Sequence, residues 1–167
     1  GRGPIDERVY DILAPEIAEE VRAIADVRRN ATLEAGIAIH PDVYQKALEY
    51  EYAFVQAGGT LAAGVDPTGY GAAPPGFGDQ KNYELLLEAG FTPPEVVQIM
   101  TANGAKVLGI DDETGTIEVG KVADLVVLEG DPEHDGHIQA TRIVFKGGIG
   151  WDSPKLIESV RGIVGIR

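Results

Sequence analysis

Thr60-Leu61-Ala62-Ala63-Gly64-Val65-Asp66 is a short apolar run without polar alternation, closed by a carboxylate. A run of this kind suits a strand buried on both faces, as in a parallel sheet or barrel. Its small residues fit a crowded barrel interior. Pro67 to Gln80 follow as a Gly/Pro-rich stretch, and so long a connection is usually functional or disordered. Asp66 therefore stands at the junction of a buried strand and a long loop. In an α/β barrel, active sites form from the loops at the C-terminal ends of strands. A carboxylate there can ligate a divalent cation or accept a proton from a bound water. It can equally be an Asx turn or cap ahead of Pro67.

Upstream, Pro15 with Glu16, Glu19 and Glu20 opens a helix whose stripe is Ile17, Val21, Ile24 and Val27. Arg28 and Arg29 close it, with Asn30 as a stop. A second helix starts at Pro41-Asp42, with Val43, Ala47, Leu48 and Phe54 or Val55 inward, and ends at Gly58-Gly59. Downstream of the loop, a helix runs to about Ala89. Thr92-Pro93-Pro94-Glu95 is a capping box with Pro at the first helical position, and Val96, Ile99, Met100 and Val107 form its stripe up to Gly109. The period then changes. Thr116–Lys121 predicts a strand and turn, Ala123–Leu128 a strand, and Arg142–Gly148 a strand entering a hairpin. Residues 154–167 predict a short helix or tail. The fold class is α/β.

The chain has 167 residues, 44% of them apolar and 25% charged, which suits one globular domain with a core. Acidic residues outnumber basic ones 27 to 14, which argues against a nucleic-acid partner. No apolar run approaches the roughly 20 residues that cross a bilayer, so no membrane partner is expected. The absence of cysteine excludes disulfides and thiolate metal sites. Gly1 opens the chain and Met100 is its only methionine. The natural start, with any signal peptide, is therefore expected upstream, and the compartment stays open.

Four stretches occur in a telling order: Ala63-Gly64-Val65-Asp66, then Glu88–Pro93, then Thr101-Ala102-Asn103-Gly104-Ala105-Lys106-Val107-Leu108-Gly109, then Gly115-Thr116-Ile117-Glu118-Val119-Gly120-Lys121-Val122-Ala123-Asp124-Leu125-Val126-Val127-Leu128. Over roughly residues 58–150 the chain resembles the C-terminal portion of the amidohydrolase superfamily, in its imidazolonepropionase and prolidase-like branch. The last block is far more specific than any isolated glycine motif. The resemblance implies the C-terminal part of a (β/α)8 barrel over residues 1–109, part of a small β-sandwich over 110–153, and a tail over 154–167.

It also implies a hydrolase of amide or peptide-like C–N bonds, working through one or two divalent ions, zinc most commonly. Asp66 would match the aspartate at the end of barrel strand eight, as metal ligand and proton acceptor for the attacking water. The family's other ligands are a His-x-His pair on strand one, a carboxylated lysine or glutamate on strand four, and histidines on strands five and six. None has a counterpart among His40, His134 and His137. A full barrel takes about 250 residues, so the expected partners are a small amide substrate, the N-terminal part of the same protein, and a second copy of the chain. The alternative is a catalytically inert fragment or subunit that needs that part in trans.

Further candidates carry double readings. Tyr70 and Phe77, with Asp79, either touch substrate or serve the core and surface. His40 either lines a substrate pocket or marks a loop-to-helix junction. His134 and His137, three apart, grip a cation or sit in a solvated loop. Lys121 and Asp124 read as structural, a turn and a polar contact ahead of a strand. Gly69-Tyr70-Gly71 begins like a dinucleotide loop but opens no helix.

Overall fold

The computed structural model describes residues 6–34, 41–65, 76–135 and 137–165. The elements in chain order are α1 (Glu7–Ile12), α2 (Pro15–Glu34), α3 (Pro41–Gln56), α4 (Phe77–Glu88), α5 (Pro93–Met100), α6 (Ala102–Leu108), β1 (Leu125–Leu128), α7 (Pro132–Asp135), β2 (Thr141–Lys146), β3 (Ile149–Asp152) and α8 (Ser153–Ser159). None of these helices is long and apolar enough to cross a membrane. The chain divides into two compact units, Gly1–Lys46 with Lys155–Arg167, and Ala47–Pro154.

In the first unit the segment between α1 and α2 meets the segment that follows α8. Leu13 bridges Val164 in parallel, and the Ala14 N–H donates to the Val164 carbonyl at 3.0 Å. Val9 and Ala14 are buried. The expected stripe of α2 is only partly covered: Ile17 and Val21 are half-buried, whereas Ile24 and Val27 are exposed. The helix continues past the expected stop at Asn30 to Glu34. Val43, expected inward on α3, is exposed as well.

The second unit holds the core. Tyr83 and Leu86 from α4, Phe91 from the turn after it, and Val96 and Ile99 from α5 form one cluster, with Tyr52, Val55, Leu61, Ala63, Met100 and Ile138 packed around it. The Tyr52 and Phe91 rings lie 5.2 Å apart and tilted by 53°, a favourable aromatic geometry. The capping box forms as the sequence predicts: the Thr92 N–H and hydroxyl both donate to Glu95 Oε2 at 2.7 Å. These bonds hold the Glu95 carboxyl below its usual range.

The single helix expected from Pro93 to Leu108 breaks at Thr101. Its hydroxyl donates to the Val97 carbonyl at 2.6 Å, and its backbone leaves the helical region at φ −127° and ψ −82°. Back-bonding of this kind competes with the helix's own ladder. The break moves Val107 out of the core, where it is 62% exposed, and Ala105 becomes the buried residue of α6.

The strands form a three-stranded antiparallel sheet of order β1-β2-β3. Gly147 and Gly148, at φ 58° and 82°, make the β2–β3 turn, and two such residues suit the twist of a tight hairpin. Asp124 accepts from Lys146 Nζ and from the Gly147 N–H at 2.7 Å, tying the start of β1 to that turn. The Lys146 ammonium, then the Gly147 N–H, hold its carboxyl below the usual range.

Two expected strands are not assigned. Thr116–Lys121 is a series of bends and turns in which Ile117 and Val119 are exposed. With no strand paired to it among the described residues, side chains organise it instead. Lys121 Nζ donates to the Asp111 carbonyl at 2.7 Å and pairs with Glu118 at 3.2 Å. The described part of the other, residues 60–65, joins no sheet either. Its burial alternates, with Leu61, Ala63 and Val65 half-buried and Ala62 and Gly64 exposed. That is a run covered on one face rather than on both, with Leu61 and Ala63 packed on the core cluster.

Candidate functional site

The run Leu61–Val65 leads into the position that the sequence marks for chemistry. Leu61 and Ala63 seat it against the cluster of Tyr83, Phe91 and Ile99. Its backbone carbonyls take partners from two helices. Asn103 Nδ2, on α6, donates to the Leu61 carbonyl at 2.8 Å, and Asn82 Nδ2, on α4, donates to the Gly64 carbonyl at 2.9 Å. Backbone polar groups without a ladder require such substitutes when partly buried.

Of the residues singled out from the sequence, Asp66, Tyr70 and His40 lie outside the described residues. Phe77 is the first residue of α4 and half-buried. It follows Gly76, whose φ is 80° and whose N–H donates to Asp79 Oδ2 at 3.3 Å. Asp79 thus closes the N-terminal turn of α4.

His134, on α7, and His137, after it, each take a separate partner. His134 Nδ1 pairs with Asp131 Oδ2 at 2.8 Å, which raises the imidazole pKa above its ordinary value. His137 Nδ1 instead accepts from the Gln139 N–H at 3.3 Å. Among the described residues no group of three or more His, Cys, Asp or Glu is placed to share a metal ion. The described residues therefore do not make up a divalent-metal site.

A polar cleft of about 310 Å³ opens beside α6, lined in part by Gln98, Asn103, Lys106, Asp111, Thr116 and Lys121. Lys121 is already committed to Asp111, Thr116 and Glu118. These bonds fold the Asp111–Lys121 segment onto itself, and Gly115 sets it against α6. Gly115 shows how closely: at φ 93°, a Cβ placed on it would lie 2.5 Å from the Ala105 Cβ.

Neither asparagine stands out in the sequence as functional. Asn103 lies inside the block Thr101–Gly109, and Asn82 precedes the buried Tyr83. The available signal was an asparagine, a poor helix former, inside a helix.

Residues 70–152 match the amidohydrolase family model. The chain is 40% identical over 65 residues to a 5-methylthioadenosine/S-adenosylhomocysteine deaminase of Desulforudis audaxviator, covering 38% of this chain and 14% of that protein. It is 32% identical over 75 residues to an imidazolonepropionase of Symbiobacterium thermophilum, covering 42% and 18%. Among solved structures, it superposes on a prolidase complexed with N-methylphosphonate-L-proline with a TM-score of 0.56 and 25% identity, covering 71% of this chain and 31% of the other. The chain thus spans less than a third of the length of each of these relatives. The block Gly115–Leu128 lies inside the region that matches the amidohydrolase family model, and the chain is similar to imidazolonepropionase and prolidase members of that superfamily.

Proposed function

We propose that residues 1–167 are the C-terminal portion of a divalent-metal-dependent hydrolase that cleaves amide or peptide-like C–N bonds. In this reading residues 1–109 belong to a (β/α)8 barrel, 110–153 to a small β-sandwich, and 154–167 to a tail. The reading is supported most by the order of the four sequence blocks, from Ala63–Asp66 to Gly115–Leu128. The similar proteins share one chemistry in their names: a deaminase and a prolidase both hydrolyse a bond from carbon to nitrogen.

A divalent ion, zinc in our reading, would when bound make a water acidic enough to attack at neutral pH. This chain contributes one carboxylate, Asp66, which accepts a proton from the attacking water and returns it to the leaving nitrogen. The remaining donors come from outside residues 1–167. In this reading Tyr70, Phe77 and His40 contribute to substrate binding.

Exposed apolar residues support the need for a complement. Val126, Val144 and Trp151 face one another across the three strands, and Val126, Trp151 and Ile149 are 60%, 51% and 64% exposed. Surfaces of this kind seek a partner, the N-terminal part of the same protein first and a second copy of the chain otherwise. The test is metal content and dipeptide hydrolysis by the 167-residue chain, alone and joined to its upstream part. The chain alone is expected to hold metal well below one equivalent and to show no turnover. Robust turnover by the chain alone would overturn the reading.

A further inference from the structure

We infer that Asp111, Thr116 and Glu118 build a cage for a primary ammonium ion in the cleft beside α6, and that Lys121 supplies its resident cation. Three oxygens of different kinds converge on Lys121 Nζ: the Asp111 carbonyl at 2.7 Å, the Thr116 hydroxyl at 2.5 Å and the Glu118 carboxylate at 3.2 Å. A lysine ammonium carries three N–H donors and no acceptor, so the set matches its hydrogen-bonding capacity. The Thr116 hydroxyl closes the ring by donating its own proton to Glu118 Oε1 at 2.5 Å. That hydroxyl, then the Lys121 ammonium, hold the Glu118 carboxyl below its usual range. The Lys121 side chain is 15% exposed, and a cation so covered needs oxygens in place of the water it has lost.

Apolar burial does not fix this stretch, since Ile117 and Val119 are exposed. Local turns do part of the work. The Glu113 and Thr114 N–H groups both donate to the Ile110 carbonyl at 3.0 Å, and the Val122 N–H donates to the Glu113 carbonyl at 2.9 Å. The ammonium joins these turns, because one side chain ties residue 121 to residues 111, 116 and 118. It thereby keeps the segment folded where Gly115 meets Ala105 of α6. A carbonyl, a hydroxyl and a carboxylate select a compact charged donor, so the charge of Lys121 matters more than its stem.

The experiment follows amide hydrogen exchange at Glu113, Thr114 and Val122 in the full-length protein that contains these residues, with the amides of α5 as the control for intact folding. Lys121→Met keeps a stem and loses the charge. Lys121→Ala removes the atoms from Cγ to Nζ, which propylammonium replaces in number and kind. In each variant these amides are expected to exchange at least about 10-fold faster, with α5 unchanged. Propylammonium chloride should return the Ala variant toward wild-type protection. Propanol and tetramethylammonium chloride at the same concentration, with pH and ionic strength held constant, should not.

A Met variant as protected as wild type would overturn the cage, because the stem alone would then hold the segment. So would recovery of the Ala variant in propanol to the same degree as in propylammonium, or a loss in both variants that propylammonium leaves unrepaired. Should neither lysine variant fold, Thr116→Val carries the test. It keeps the shape at an exposed position, removes one oxygen from the cage, and is expected to raise exchange by about threefold; unchanged exchange would overturn the inference.

Discussion

Replacing Tyr83 separates ring burial from hydrogen bonding in the core of the second unit. The side chain is 1% exposed among Leu86, Phe91, Val96 and Ile99. Its hydroxyl donates to the Pro132 carbonyl at 3.2 Å, linking α4 to α7 across 49 residues. Tyr83→Phe keeps the ring and loses one neutral hydrogen bond, worth about 0.5–1.5 kcal/mol. Pro132 is half-buried, so water can reach its carbonyl and the loss falls at the low end. Tyr83→Ala empties the ring's volume and should cost about 3–5 kcal/mol. Melting temperature falls in proportion to the loss, so the Ala variant should be displaced at least about twice as far as the Phe variant. Circular dichroism melts of the chain joined to its upstream part measure both.

The pH dependence adds a sign. Burial, then Glu133 and Asp131, raises the Tyr83 pKa above 10.0. Its contribution is therefore complete below the unfolded value and lost as pH rises through the folded one. The gap between wild type and Tyr83→Phe should shrink above about pH 10. A Phe variant as damaged as the Ala variant would refute the reasoning, because the hydroxyl rather than the ring would then dominate.

Gly115→Ala forces a Cβ against Ala105 at a positive φ and should cost at least about 1–2 kcal/mol, read as a lower melting temperature; an unchanged melt would mean that the segment does not press on α6. His134 should titrate above its ordinary value, since the Asp131 carboxylate favours the imidazolium. Its bond to Asp131 is then intact below the unfolded value and lost as pH rises through the folded one. Asp131→Asn should return the proton NMR titration of His134 toward pH 6.5, and an unmoved midpoint would rule out the pair.

What the sequence makes legible is local. The Thr92–Glu95 box, the Gly147-Gly148 turn and the helices at Pro15 and Pro41 each depend on neighbours within a few residues, and each forms as expected. Thr101 is the counterexample: its hydroxyl returns to Val97, so the apolar period that includes Val107 continues in sequence but not in space. The short helix α7 was hidden for a similar reason. Asp131 accepts from the Glu133 N–H at 2.9 Å and turns a Gly-Asp-Pro corner into a helical turn.

The bonds from Asn103 to Leu61 and from Asn82 to Gly64 join distant segments, and no local pattern announces them. Of the candidate site, the specific block Gly115–Leu128 supports the family. Asp66 stands out only as a carboxylate between an apolar run and a loop, a position that fits a turn as well as a catalytic site.

The most direct measurement compares Asp66→Asn with wild type in the full-length enzyme, pairing turnover with thermal melting. Loss of the proton acceptor should lower kcat by roughly 10²-fold or more, while Asn keeps the side chain's size and should leave the melting temperature nearly unchanged. Near-normal turnover by a folded Asp66→Asn enzyme would contradict the account and remove Asp66 from the chemistry.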